Sequence, residues 1–257
     1  MTGAATPLLE LTALTGGEFA ALAGLTLLAG IVRGFSGFAL SAMVMATAVV
    51  ILPPVELIPM LWWLEMAASL IMVRGGWAAA DRPMAYGLAL GALVGWPLGL
   101  SLTLALPVET SKALALGVIV LLAAAQLARL RIPGLATKAG LYGTGVAAGF
   151  ASGVAHVGGM VVAFYILAAE RSARVMRATL VLYLFLGATT SMVVLTLFGV
   201  MDFSGITRGL VFAVPTILGV VLGQMLFTER LSGYYRPLCL ILLIGLASVG
   251  LVRSQLV

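Results

Sequence analysis

The chain has 257 residues, of which 62% are hydrophobic and 9% charged, and its mean hydropathy is +1.19. Soluble domains carry about 25% charged residues, so this composition indicates a protein of the lipid bilayer. The net charge of +5 does not indicate nucleic-acid binding, because no basic patch with interleaved aromatic residues occurs. A single cysteine and a single histidine exclude an intrachain disulfide and argue against a metal site. No cofactor is expected.

Ten apolar segments follow one another along the chain. They fall at about residues 19–33, 35–52, 55–73, 84–106, 112–130, 139–152, 156–169, 178–200, 206–228 and 236–252. Several approach the ~20 residues that a helix needs to span a bilayer, but the opening pair of each set of five is short. Each pair is either two short crossings or one re-entrant hairpin. We expect an all-α polytopic membrane protein that forms one domain, 1–257, with repeats at about 19–130 and 139–252.

Two stretches of the chain are degenerate copies of one another, and each opens a set of five segments. A shift of 119 residues superimposes residues 29–38 on residues 148–157. The shift aligns two pairs of glycines, Gly30 with Gly149 and Gly34 with Gly153. Glycine-rich interruptions of apolar segments mark transporter binding sites, because irregular backbone is tolerated in a membrane only where it lines a cavity. The duplication predicts a transporter whose backbone is non-helical around 34–37 and 152–159, where the two breaks meet.

A second set of matching glycines supports the duplication. Gly95 and Gly99 align with Gly219 and Gly223 at a shift of 124 residues. Small residues four positions apart let membrane helices approach closely. We therefore assign these four glycines and Gly91 to helix packing.

The distribution of Lys and Arg predicts the orientation in the membrane. If every segment crosses, the loops on one side hold eleven of the 14 cations, including Arg33 and Arg177, and the other side holds three. Loops rich in Lys and Arg remain in the cytoplasm. We therefore predict a protein of the inner membrane with both termini in the periplasm. Each half makes an odd number of crossings whether its opening pair is two crossings or a hairpin. The second half is therefore expected to be inverted relative to the first.

The motifs resemble those of the TauE/SafE family of membrane proteins, the sulfite and organosulfonate exporters. The resemblance rests on Gly30-x-x-x-Gly34-Phe-Ser-Gly37-Phe, on Gly149-Phe-Ala-Ser-Gly153 followed by Gly158-Gly159, on Arg177-Ala-Thr and on Leu218-Gly219-x-x-x-Gly223. It extends from about residue 20 to residue 252 and implies a secondary transporter that exports a small sulfur-containing anion. The chain departs from the family at His156, where members often have glycine, and at Met160, where they often have proline.

Candidate ligands for an anion lie in and beside the two glycine-rich stretches. Arg33 ends an apolar run of 15 residues, and a fixed guanidinium can hold a sulfonate or carboxylate bidentately. The alternative is that Arg33 is an ordinary cytoplasmic arginine of the charge bias. The predicted substrate-binding residues are Arg33, Gly34, Ser36, Gly37, Ser152, Gly153, His156 and Arg177.

Several of these residues have an alternative structural interpretation. Ser36, Ser41 and Ser152 could each donate to an anion or form a bond within their own helix. Arg177 follows Arg171 and Arg174, so it also fits a cluster that fixes orientation.

Two ionisable residues are candidates for coupling transport to protons. His156 could bind the anion when protonated, titrate during transport, or be a neutral packing residue. Glu65 lies inside an apolar segment, where an acid is costly, so a functional role or a pairing with Arg33 is expected.

Other functions fit parts of the sequence. A passive anion channel or an importer of a small organic anion would line a similar path. The sequence leaves the oligomeric state open, a homodimer included. Gly34-Phe-Ser36-Gly37 and Ala155-His156-Val-Gly-Gly159 imitate the serine and histidine motifs of rhomboid intramembrane proteases. No second histidine supplies an oxyanion donor, and duplication explains the two motifs without catalysis, so no enzyme is predicted.

Overall fold

The computed structural model describes residues 5–130, 135, 137–168, 172–226, 240–241 and 243–252. Throughout these ranges the regular secondary structure is helical, as the all-α prediction requires. The stretch between the two predicted repeats, residues 131–138, falls partly outside the described residues, at 131–134 and 136. The helices are α1 (Ala5–Thr12), α2 (Gly16–Ser36), α3 (Leu40–Ala48), α4 (Pro54–Gly76), α5 (Arg82–Ala105), α6 (Val108–Leu127), α7 (Lys138–Ala155), α8 (Gly158–Ala168), α9 (Ala173–Leu197), α10 (Phe203–Met225) and the short apolar α11 (Leu243–Val252).

Among the described residues, six helices are long and apolar enough to cross a membrane. They are α2, α4, α5, α6, α9 and α10, and their apolar spans have 20 to 24 residues. At 1.5 Å per residue, such helices match the ~30 Å hydrocarbon core of a bilayer. The prediction of a multi-pass membrane protein is confirmed.

The opening pair of each half consists of one longer and one shorter helix. α2 has 21 residues and α7 has 18, whereas α3 has nine and α8 has 11. The prediction that both members of the pair are short is therefore wrong for α2. The apolar run ends at Arg33, but the helix continues to Ser36 because the arginine is paired inside the protein and does not need to reach solvent.

Polar residues before the helices determine where several of them begin. The amide of Thr15 donates to Oε2 of Glu18 at 2.8 Å, which forms half of a capping box at the start of α2. Asp81, Ser172 and Asp202 each accept from the backbone N–H three residues further on, at the starts of α5, α9 and α10. Each cap satisfies an otherwise free donor and contributes about 0.5–2 kcal/mol.

α2 packs against α10 through glycines on both helices. A Cβ added to Gly219 would lie 3.0 Å from the Cα of Gly30, and one added to Gly223 would lie 3.0 Å from the Cα of Gly34. The contacting residue numbers increase together, so the two helices run in parallel. Because a methyl group would collide with the facing backbone, only glycine allows this approach.

α5 packs against α7 in the same manner. A Cβ on Gly91 would lie 2.9 Å from the Cα of Gly145, and one on Gly99 would lie 3.1 Å from the Cα of Gly153. This pair is also parallel. α2 and α7, which open the two halves, thus each pack on the fourth segment of the other half, α10 and α5. The five glycines that the sequence assigned to helix packing do lie at these contacts.

α4 packs against α10, a member of one glycine-packed pair, and against α9. Trp63 lies against Gly209 of α10, and Pro59 lies against Gly205, so α4 and α10 are parallel. The indole Nε1 of Trp62 donates to the carbonyl of Ala188 of α9 at 2.7 Å. The other end of α4 meets the beginning of α9, since Gly76 lies next to Ala178; α4 and α9 are therefore antiparallel.

The helices break later than predicted. α2 continues through Gly34 to Ser36, and α7 continues through Ser152 and Gly153 to Ala155. The non-helical residues are 37–39 and 156–157. The prediction of irregular backbone from 34 and from 152 is wrong, because those glycines serve the close packing of continuous helices. Breaks do occur at the later positions, next to the short helices α3 and α8.

Candidate functional site

The two helix breaks meet in the interior of the bundle. α2 ends at Gly37 in a left-handed conformation with φ 84°, and α7 ends at His156 with φ 58°. α3 follows the first break, and eight of its nine residues are buried. Its Ser41 hydroxyl lies 3.2 Å from Nδ1 of His156, which joins one break to the other.

Arg33 is the largest polar side chain that is fully buried in the described part of the chain. Its Nη1 donates to the carbonyl of Gly37, and its Nη2 donates to the hydroxyl of Ser69 at 3.0 Å. The same Nη2 lies 3.2 Å from Oε2 of Glu65. The alternative of a cytoplasmic loop arginine is therefore wrong for Arg33: its charge is enclosed and held by α2 and α4. Its position in the last turn of α2 also suits the negative end of the helix dipole.

Glu65 pairs with Arg33, as expected from its place in an apolar segment. It is buried, and its Oε1 accepts a hydrogen bond from Ser41 at 2.7 Å. The apolar span of α4 runs from Pro54 to Arg74, which places Glu65 within two residues of the centre. The ion pair is thus near the middle of a membrane-length helix, the depth at which transporters bind substrate.

His156 completes a chain of contacts that begins at Arg33. Its Nδ1 faces Ser41, and its ring meets the ring of Trp96 edge-on, with centroids 5.7 Å apart. A left-handed backbone costs a non-glycine residue roughly 1–2 kcal/mol, and such strain is concentrated at functional sites. The polar cluster is defined here as Arg33, Glu65, Ser69, Ser41 and His156.

Arg177 contacts the first break from α9. Its Nη2 donates to the carbonyl of Gly34, and a Cβ added to Gly37 would lie 2.9 Å from its Cγ. It is close enough to Arg33 for the two guanidinium charges to repel. Arg177 therefore does more than mark orientation, whereas Arg174, three residues earlier, is exposed.

The predicted serine and glycine ligands have mainly structural contacts. Ser36 donates to the carbonyls of Val32 and Phe38, at 2.7 and 2.8 Å, which closes the end of its own helix. Ser152 accepts from the amide of Gly158 at 3.2 Å. Gly34 and Gly153 allow the close helix packing described above, and the carbonyl of Gly34 also receives Arg177.

Two members of the site were not predicted from the sequence. Ser69 lies four residues after Glu65 on α4, and this spacing puts both side chains on one face of the helix. This four-residue spacing is the feature of the sequence from which Ser69 could have been predicted. Trp96 carries no such signal, because its contact with His156 depends on how α5 packs against α7. Met160, the second departure from the family pattern, offers its backbone carbonyl to Gln126 at 2.9 Å.

Three linked residues of the polar cluster each retain a buried atom without a hydrogen-bond partner in the described structure. These atoms are Nε of Arg33, Oε2 of Glu65 and Nε2 of His156. Buried polar atoms are nearly always paired. Oε2 of Glu65 still has the charge of Arg33 beside it, so Nε of Arg33 and Nε2 of His156 are the atoms of this group that have neither a hydrogen bond nor an ion pair in the described structure. Within the described ranges, no three His, Cys, Asp or Glu side chains are placed to hold a metal ion.

The serine that faces His156 is not the one in the protease-like motif. Ser36 directs its hydroxyl to backbone carbonyls, whereas Ser41 lies within hydrogen-bond distance of the imidazole. Ser41 also donates to Glu65, so the serine stands between the acid and the histidine. In a serine hydrolase the histidine stands between the other two groups. In this cluster the serine instead connects the acid to the histidine, as in a network of charged and polar side chains.

A bundle of membrane-length helices, with a buried ion pair where two interrupted segments meet, defines the architecture of a polytopic membrane transporter. The model of the sulfite exporter TauE/SafE family matches residues 22–249, nearly the whole chain, and the protein belongs to this family. No curated protein and no solved structure matches the chain.

Proposed function

We propose that the protein is a secondary transporter of the inner membrane that exports a small sulfur-containing anion, sulfite or a short organosulfonate, from the cytoplasm. The observation that carries this proposal is the guanidinium of Arg33, which is fully buried at a helix break and has an unpartnered Nε. Charge inside a membrane is costly and marks ion and substrate pathways. The planar donor fork of arginine matches two oxygens of a sulfonate or sulfite.

Other residues around Arg33 extend this anion site. Arg177 brings a second positive charge to the same break, and His156 has an unpartnered Nε2 at the opposite break, which donates to an anion when the ring is protonated. Gly34 and Gly37 position the two arginines through their carbonyls. Ser36, Ser152 and Gly153 shape the ends of α2 and α7 and are not assigned direct contact. With Glu65 ionised and His156 neutral, the two arginines give the site one net positive charge.

The packing of the helices supports an inverted repeat. α2 pairs with α10 and α5 pairs with α7, which are equivalent pairs if the first five segments repeat as the last five. α4 runs antiparallel to α9, its counterpart in the second half. A duplication with inverted orientation produces this relationship, and inverted repeats commonly place the substrate site between the two halves.

The predicted orientation survives the corrections to Arg33 and Arg177. Removing these two residues from the eleven cations on the predicted cytoplasmic side leaves nine, against three on the other side. Arg74, Arg82 and Arg174 are all exposed, and the contacts of Gly76 with Ala178 place them at one end of the bundle. We assign this end to the cytoplasm. Export of a monoanion is then favoured by about 2.3 kcal/mol per 100 mV of inside-negative potential.

Counterflow in proteoliposomes tests the proposal. Vesicles loaded with unlabelled methanesulfonate or sulfite should accumulate the labelled anion transiently, and the initial rate should saturate. Conductance with single-channel steps and no counterflow would instead indicate a passive channel. Uptake in cells that depends on an inward ion gradient would indicate an importer. Failure to move any sulfonate, sulfite, thiosulfate or carboxylate would contradict the proposal.

A further inference from the structure

Glu65 already forms an ion pair with the guanidinium of Arg33, to which the proposed substrate would bind. Its Oε2 lies 3.2 Å from Nη2 of Arg33, in a pair with almost no exposure to solvent. We infer that Glu65 is a resident counter-anion, which neutralises Arg33 in the substrate-free protein and yields it to the incoming anion. The site then accepts one negative charge per substrate. This inference rests on the proposed function, since it concerns the same anion site.

The two oxygens of Glu65 are held differently. Oε1 accepts a hydrogen bond of 2.7 Å from Ser41, whereas Oε2 is close to Arg33 but has no hydrogen bond in the described structure. The carboxylate is therefore held by a hydrogen bond on the side that faces α3 and by charge attraction on the side that faces Arg33. It can release the guanidinium and keep its bond to Ser41. Nη2 of Arg33 would keep Ser69 as its acceptor, and Nε is free to bind the substrate.

The charges around Glu65 determine which anions the site can take. Arg33 lies on α2, Arg177 on α9, and His156 at the break after α7. The ring of His156 is close enough to Glu65 to interact with the charge of its carboxylate. Arg208 of α10 is held elsewhere by Glu56. The polar cluster together with Arg177 therefore has one net positive charge when His156 is neutral. A bound monoanion brings the total to zero, whereas a dianion leaves an uncompensated buried negative charge.

Methanesulfonate and sulfate test this charge rule, because they have similar size and shape and are fully ionised at neutral pH with one and two charges. Their dissociation constants are measured by calorimetry on purified protein at pH 7.5. The wild type should bind methanesulfonate more tightly than sulfate. Glu65→Gln keeps the shape of the side chain and removes its charge, so it should shift the ratio toward sulfate by about tenfold or more.

Glu56→Gln is the matched control, because Glu56 also pairs with an arginine, Arg208, at 2.6 Å, and the substitution changes the net charge equally. This variant should keep the wild-type ratio. If Glu65→Gln binds both probes with the wild-type ratio, the inference is wrong and the anion site stands. If the wild type binds neither probe and shows no counterflow with any anion, the proposed function fails together with the inference.

Ser41→Ala keeps the test decisive if Glu65→Gln does not fold. It removes a small hydroxyl, keeps every charge, and deletes the group that holds the displaced carboxylate. Both probes should then bind several-fold more weakly, about tenfold at most, with an unchanged ratio. Unchanged affinities in Ser41→Ala would overturn the role given to Glu65.

Discussion

Gly37 and His156 lie 119 residues apart, at matching positions of the duplicated stretch, and both end a helix with left-handed backbone, at φ 84° and φ 58°. Glycine takes this conformation without strain, whereas histidine does not. In return, the histidine places a ring between Ser41 and Trp96 at the meeting point of the two breaks. The first half therefore ends its helix at a glycine, with Ala39 also left-handed at φ 76° two residues later, and the second half ends its helix at a titratable residue.

His156→Gln should flatten the pH dependence of anion affinity. A protonated imidazole attracts an anion, so wild-type affinity should strengthen as the pH falls through the range in which His156 gains its proton. Glutamine keeps hydrogen-bonding capacity and cannot become charged. The measurement is the dissociation constant of methanesulfonate from pH 5 to 8, because this probe stays fully ionised in that range.

The control for this experiment is His156→Gly, which has the residue that family members often carry at this position. It should relieve the backbone strain, retain transport and show the same flat profile. Identical pH profiles in the wild type and both variants would make His156 a packing residue and remove the proton-linked role.

Arg33→Lys should weaken anion binding by about tenfold or more while keeping the charge. Lysine offers a point charge in place of the planar fork, whose separate nitrogens bond to Gly37 and Ser69 and leave Nε for the substrate. The affinity of methanesulfonate is compared with that of Arg208→Lys, which replaces another buried arginine outside the cluster. Normal affinity in Arg33→Lys, at equal expression, would reduce Arg33 to a structural role.

Gly149→Ala should lower the thermal stability of the protein, and Gly143→Ala in the same helix should not. A Cβ on Gly149 would collide with the backbone of Ala92, whereas Gly143 has no neighbour within 4 Å. Overpacking of this kind costs about 1–3 kcal/mol, but an open helical glycine gains stability on replacement by alanine. Melting temperatures in one detergent give the comparison. Equal destabilisation of both variants would mean that the α5–α7 contact is not as close as described.

Both termini are predicted to face the periplasm. A reporter that is active only in the periplasm should function when fused after Val257. Single cysteines, introduced after replacement of Cys239, should show opposite accessibility: Arg174→Cys reacts with a membrane-impermeant thiol reagent only after cell lysis, and Lys112→Cys reacts in intact cells. A fusion at Val257 that is active only in the cytoplasm would reverse the orientation.

The sequence was sufficient for the class of protein and for most of the helices. Apolar runs of about 20 residues can satisfy their backbone in a bilayer only as helices, so composition and segment length predicted the all-α membrane fold. The ordered glycine motifs identified the family. The expectation that Glu65 pairs with Arg33 followed from the cost of an isolated charge in an apolar segment, and the ion pair is present.

Only the tertiary structure decided which glycines pack and which break a helix. Gly34 and Gly37 belong to one motif. Gly34 is helical and faces the backbone of α10, whereas Gly37 has a left-handed backbone and lies against the side chain of Arg177. The distinction depends on the neighbouring helix, which is distant in the sequence. The same reason explains why Ser41 of α3 became the partner of His156, 115 residues away, and why Ser36 did not. Local pattern sets helices and caps, and long-range packing determines which polar groups share a buried site.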